Sequence, residues 1–202
     1  MEAIWTRDIR LARLRRHDCE MLRQWRNAEH IRKNMFYQEF ISQENQVKWF
    51  NGLRPDKDFY YLIRTDKPIG LINIKEIEDG QGDVGLFIHD TEYWGSPYPL
   101  WASWLLLTAF FSRKDIRSLR ASVHLDNNNA VEYNRFLGFE WMNSNQMLLK
   151  KEDYFAKGKH SSVFKTLEKS NPLISVLLDP NDYGKYDLKA LQSSQLVIHR
   201  LT

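Results

Sequence analysis

The residues able to do chemistry fall into three groups. Arg26, Asn27 and Arg32 share one stretch, and a guanidinium fork matches the oxygens of a phosphate, so the trio suits recognition of a diphosphate. The competing reading is a solvated helix face. Thr91 to Leu100 is a loop running into an apolar segment. Backbone N–H groups converge where a loop enters a helix, and the helix dipole favours negative charge there, so this place suits a pyrophosphate. The third group, Asp83, Glu76, His89 and His124, lies on or beside strand-like runs. Each can move a proton, and each reads equally well as an ordinary strand residue. Cys19 is the single cysteine and has no neighbouring histidine. It makes no internal disulfide and no zinc cluster, so no metal and a reducing, cytoplasmic setting are expected.

The elements that must position these groups follow from periodicity. Ile9 to Leu14 alternates apolar with basic residues and predicts a strand. Asp18 opens a helix with an apolar stripe at Leu22 and Trp25, broken near Asn27, and Ser42 opens another that ends before Pro55. Asp58–Arg64, Ile69–Ile77 and Asp83–His89 read as an antiparallel meander with turn chemistry at 65–68 and 78–82. Leu100 to Ser112 is apolar nearly all round and predicts a buried helix. Leu119–Leu125 reads as a strand, Asn129–Leu137 as a helix closed by Gly138, and further strands are expected near 146–150, 161–167 and 196–201. The order predicts an α+β fold with a mixed sheet. The aromatic cluster Trp94, Tyr98, Trp101 and Trp104 reads as core or as a subunit contact, which leaves a homodimer open.

The bounds are those of an ordinary globular chain: 202 residues, 43% hydrophobic and 27% charged. No apolar run approaches the ~18 residues of a membrane span, and the first sixteen residues lack the pattern of a secretory leader. Basic residues outnumber acids up to Met35, but a net charge of +3 gives little ground for a nucleic-acid partner.

Three stretches carry a resemblance. Asp126-Asn127-Asn128-Asn129-Ala130, followed by Leu137-Gly138-Phe139, is similar to the strand-Asn-x-x-Ala-helix-Gly-Phe signature of the GCN5-related N-acetyltransferases (GNAT). Asp83-Val84-Gly85-Leu86-Phe87-Ile88, leading to Tyr93-Trp94-Gly95, resembles the family's fourth strand and the turn after it. Leu22-Arg23-Gln24-Trp25-Arg26-Asn27, with Ile31, Arg32, Met35, Ile41-Ser42 and Trp49-Phe50, resembles members that acetylate amino-sugar nucleotides, including the pseudaminic-acid pathway type. The likeness covers roughly residues 8 to 168 and implies a mostly antiparallel sheet of roughly six or seven strands with about four helices. It divides the chain into a domain over 1–168 and an extension over 169–202, which would lid the acceptor cleft or join a dimer contact.

The resemblance also implies acetyl-CoA as co-substrate and a small-molecule amine as acceptor, with a nucleotide-linked sugar the favoured class. The pantetheine arm would pair with the backbone of Leu86, Phe87 and Ile88. Trp94, Gly95, Ser96 and Tyr98 would line the pyrophosphate turn, with Asn127 and Ala130 beside the cofactor and Arg26, Asn27 and Arg32 on the acceptor. Asp83 matches an acidic position and would be the base. Two departures stand against this. Pro97 and Pro99 occupy small-residue positions of the phosphate turn and remove two N–H donors. Asn134 stands where many relatives place a tyrosine that protonates the leaving thiolate, and Tyr133 is one position off; an amide can donate to the sulfur but is no general acid. The readings left open are an N-acetyltransferase for a small amine, one for a protein N-terminus, and a binding protein that has kept the fold and lost catalysis.

Overall fold

Three β-branched and aromatic runs, Phe59–Arg64 (β3), Pro68–Glu78 (β4) and Gln81–Ile88 (β5), form consecutive antiparallel hairpins at the centre of the protein. The β4–β5 connection is two residues long: Glu78 pairs with Gln81, and Asp79 and Gly80 both have positive φ (47° and 76°). Asp-Gly is the dipeptide that such a turn requires, because it follows the twist of the flanking strands. β5 therefore begins two residues before the Asp83 expected from sequence. The computed structural model describes residues 1–158, 165–166, 169, 173–186 and 196–200.

Around this centre the strands Ala3–Trp5 (β1), Arg10–Arg13 (β2), Ser118–Ser122 (β6), Glu140–Trp141 (β7), Gln146–Lys150 (β8), Ile174–Leu178 (β9) and Leu196–Arg200 (β10) complete one sheet. Its order is β10-β9-β1-β2-β3-β4-β5-β6-β8-β7. Ten described strands exceed the six or seven expected. The excess comes from β1 and β7, too short to show a period, and from β9, which pairs with β1 on one side and on the other with β10, the strand expected near 196–201. Of the strand expected over 161–167 only Lys165 and Thr166 are described, and they are helical; the rest lies outside the described residues.

Helices cover both faces. Cys19–Asn27 (α1), Glu29–Arg32 (α2) and Gln43–Asn51 (α3) lie on one face, where Leu22 and Trp25 pack with Leu14, Leu62 and Leu71. α1 and α2 are separated at Ala28, whose extended backbone (ψ 133°) makes the expected break. Ser42 caps α3 by accepting from Asn45 N–H at 3.1 Å. On the other face Tyr98–Phe111 (α4) is buried from Ala102 through Phe111 against the alternate strand residues Tyr61, Ile63, Ile72, Ile74 and Ile88. Asn128–Phe136 (α5) begins with Asn127 accepting from Ala130 N–H at 3.1 Å and ends at Gly138, whose φ of 96° suits glycine after a helix. Lys151–Asp153 (α6) is a single turn.

One feature of the sheet positions everything else. β5 and β6 run parallel but pair only over Gln81–Val84 and Ser118–Ala121. Beyond that, Val123 N–H is taken by the Asn145 carbonyl at 2.9 Å, which draws the chain toward β8 while β5 continues to Ile88. The two strands splay, and a wedge opens between them.

Candidate active site

The wedge is part of one cleft of about 1720 Å³ that reaches from α5 under the β5 edge to α1 and α3. Which groups of β5 face it is fixed by the ladder. His89 N–H donates back to the Ile69 carbonyl at 2.9 Å, so odd-numbered residues aim their backbone at β4. Leu86 and Ile88 therefore aim N–H and C=O into the wedge, because polar groups alternate along a strand. Of these, the Ile88 carbonyl is already held by Trp94 Nε1–H at 3.1 Å. Both N–H groups and the Leu86 carbonyl form the open edge. Phe87 corrects the sequence reading: its backbone belongs to the β4 ladder and its ring packs against Trp25, edge to face at 6.4 Å.

The turn before α4 is the second part of the site. Trp94 N–H donates to the Thr91 carbonyl at 3.1 Å and Ser96 N–H to the Tyr93 carbonyl at 3.2 Å, with Ser96 Oγ on the same oxygen at 2.6 Å. Neither amide is available to an anion, contrary to expectation. Pro97 caps α4 and Pro99 is its second residue, where an N–H would have had no partner within the helix. The N–H groups of Gly95, Tyr98 and Leu100 remain without a carbonyl partner among the described residues. Gly95 has φ 72°, and a Cβ there would meet nothing within 4 Å, so the turn is open on that side. Two prolines reduce the donors without filling the turn.

On the acceptor side the three residues singled out in α1 and α2 separate by role. Arg26 lines the cleft and has no ion pair or hydrogen bond with a described residue; burial lowers the pKa of its guanidinium. Tyr60 lines it too, and burial, with Asp58 and Glu76 near, pushes its phenol up. Asn27 instead clamps a loop, donating to the Ile41 carbonyl at 2.9 Å and accepting from Ile41 N–H at 2.8 Å. Arg32 reaches the Gln38 carbonyl of the same loop at 3.4 Å. That loop carries Phe36, which stacks on His124 at 4.0 Å and so spans the cleft from one wall to the other. Asn73 is a residue that the sequence reading missed. Its Oδ1 lies 3.0 Å from where a Gly85 Cβ would be, so the carboxamide rests over the bare strand. A lone amide inside the apolar run Ile69-Gly70-Leu71-Ile72-Asn73-Ile74 was the available signal.

The acid–base candidates are also rearranged. Asp83 does not line the cleft: its Oδ1 accepts from Arg120 Nε at 2.7 Å across the β5–β6 pairing, which spends the carboxylate on the sheet. Glu76 does line it but pairs with Lys75 at 2.6 Å. His89 stacks on Trp25 at 5.1 Å, its Nδ1 is buried without a partner among the described residues, and burial, then His30, lower its pKa. It packs as an aromatic ring between Trp25 and His30. Asp58 holds the β4 bulge at Glu76: burial raises its pKa, but Arg54 and the backbone N–H groups of Glu76 and Arg54 outweigh this and bring it down to about 2. Tyr133 Oη donates to the Pro99 carbonyl at 2.8 Å and lies 2.7 Å from Ser103 Oγ, so the phenol is tied to α4 and burial pushes its pKa up. Asn134 lines the cleft with no side-chain bond to a described residue. Asn127 and Ala130 line it as well, although the Asn127 Oδ1 is spent on its cap. Among the described residues no group of three or more His, Cys, Asp or Glu could hold a metal ion, and no helix is long and apolar enough to cross a membrane.

Comparison with known proteins adds to this geometry. The chain resembles the ribosomal L7/L12 alpha-N-protein acetyltransferase RimL in complex with coenzyme A, at 20% identity and TM-score 0.61 over 74% of this chain and 98% of that one. It resembles spermidine N-acetyltransferase from Vibrio cholerae with coenzyme A and spermine, at 18% identity and TM-score 0.62 over 73% and 98%. It also resembles aminoglycoside acetyltransferase AAC(6')-Ib with coenzyme A and kanamycin, at 15% identity and TM-score 0.65 over 74% and 99%. These likenesses concern the fold. No curated protein matches the sequence. Residues 8–140 match the acetyltransferase (GNAT) domain family, which spans the splayed strands, the α4 turn and α5; the chain therefore belongs to the GNAT acetyltransferase family.

Proposed function

We propose that the protein transfers the acetyl group of acetyl-CoA to the primary amine of a small acceptor that carries an acidic group, with a nucleotide-linked amino sugar as the acceptor class. The observation carrying the first half is the unpaired β5 edge, with Leu86 and Ile88 facing a wedge beside an anion-ready turn. An extended pantetheine arm would add to that edge as a strand does, and its pyrophosphate would take the Gly95, Tyr98 and Leu100 N–H groups. Acetyl-CoA supplies an activated thioester. The chain would orient it, polarise its carbonyl through a β5 N–H, and offer the Asn134 carboxamide to the departing sulfur.

The acceptor half rests on Arg26, a partly buried cation without a counter-ion among the described residues, on the Tyr60 hydroxyl and on Lys33 and Lys48 at the cleft. A carboxylate or phosphate on the acceptor would satisfy them, whereas a polyamine would be repelled. The same positive field favours the neutral form of an amine, so proton loss to solvent needs no dedicated carboxylate. A thiol-release assay over nucleotide-linked amino sugars, acidic N-terminal peptides and polyamines tests the reading. Turnover on the first group and none on spermidine is expected; turnover confined to spermidine would overturn it. Pro97 and Pro99 support a second reading, a GNAT-fold protein that binds acetyl-CoA too weakly to turn over. Absent or millimolar binding would establish that reading.

A further inference from the structure

A second concavity lies on the sheet face beyond α1, away from the cleft. Its floor is small and apolar: Ala3 of β1 pairs with Ala12 of β2, flanked by Leu62 and Leu177 on the neighbouring strands. Its volume is about 340 Å³, at the lower end for small-molecule sites. One end is closed by the ion pair of Arg15 with Glu2 and by the His17 ring, 3.4 Å from Asp18. The other end is not balanced. Arg10 and Arg64 are directly opposite each other in the β2–β3 ladder, and like charges so placed oppose the pairing. Neither has an ion pair or hydrogen bond with a described residue; the guanidinium of Arg10 lies 5.8 Å over the Trp5 ring, which gives it a fixed perch.

We propose that this concavity binds a small phosphorylated molecule, with its phosphate group between Arg10 and Arg64 and its apolar body over the part-exposed Ala12 and Leu177. Two guanidinium forks on directly opposed strand residues suit a phosphate better than a single carboxylate, since they present more donors than one carboxylate can use. A bound phosphate relieves the repulsion across the β2–β3 pair. The apolar floor and the paired far end limit the ligand to a compact molecule and give no track for a polymer. The site is separate from the proposed acetyl transfer and stands whether or not that occurs.

The test is an amide-resolved NMR titration of the full chain with pyrophosphate, and in parallel with succinate at matched ionic strength. Shifts are expected at Ala3, Arg10, Ala12 and Arg64 with pyrophosphate, and weaker ones with succinate. Arg10→Ala and Arg64→Ala should each weaken pyrophosphate roughly tenfold or more, the size of a lost charge-assisted hydrogen bond. Arg10→Lys, which keeps the charge and loses the fork, should fall between. Shifts confined to Gly95–Leu100, affinity unchanged in the Arg10→Ala, Arg64→Ala double variant, or succinate binding as tightly as pyrophosphate would each overturn the proposal. The folded spectra of the variants report directly on whether they keep the sheet.

Discussion

Replacing Arg26 by methionine should move stability and activity in opposite directions. Methionine keeps the length and the apolar stem that packs in the cleft, and removes the charge. In the free protein that charge has lost part of its hydration and has gained no carboxylate among the described residues. Exchanging buried ionic groups for apolar ones is often stabilising by ~1–4 kcal/mol; for one partly solvated group we take the lower end, about 1 kcal/mol. In a protein this size that raises Tm by about 2–4 °C. The acceptor complex should suffer the reverse. A charge-assisted contact is worth about 1.5–3 kcal/mol, so kcat/KM for an acidic acceptor should fall by about ten- to a hundredfold, while KM for acetyl-CoA stays constant. Differential scanning calorimetry and steady-state kinetics on the same preparations read both. A lowered Tm, or unchanged kcat/KM, would refute the assignment of Arg26 as a cation waiting for substrate.

Asn27→Ala removes both bonds to Ile41, so the loop carrying Phe36 should loosen. The expected result is a several-fold rise in acceptor KM with acetyl-CoA affinity unchanged, consistent with about 0.5–1.5 kcal/mol per bond; equal effects on both substrates would argue for a global defect. Asp58 has its folded pKa lowered to about 2 from an ordinary 3.8, so its contribution is present above about pH 4 and is lost as pH falls toward 2. Asp58→Asn should cost about 2 kcal/mol near neutrality, and urea unfolding should show the gap between the two proteins closing over that window; a gap constant from pH 6 to pH 2 would contradict the sign.

What could be read from the sequence came from period and chemistry that act locally. The meander, the buried α4, the Ser42 cap and the Gly138 stop each depend on a few neighbouring residues, and each stands in the structure. The break after Asn27 was legible, but not the use of Asn27, because Ile41 lies fourteen residues away and only folding brings its backbone within reach. Asp83 was misread for the same reason: Arg120 becomes its partner through the β5–β6 crossover, a pairing with no signature in either segment alone. Phe87 shows a subtler limit. Leu86, Phe87 and Ile88 are alike in sequence, and only the register against β4 decides which of them turns its N–H to the wedge. β9 is set by β1, three residues long and silent by itself, whereas β10 falls where the apolar run at 196–201 predicts a strand.

If the β5 edge at Leu86 takes an acyl carrier through its backbone, calorimetric titration of acetyl-CoA into the Leu86→Pro variant will register the loss of that contact. Proline there removes an N–H that no strand uses, and prolines are tolerated on such an open side; Phe87→Pro, which breaks the β4 ladder, serves as the destabilised control. One-to-one binding to the unaltered protein and at least a tenfold loss in Leu86→Pro, with the fold retained, are expected. Equal affinity in a folded Leu86→Pro variant would contradict it.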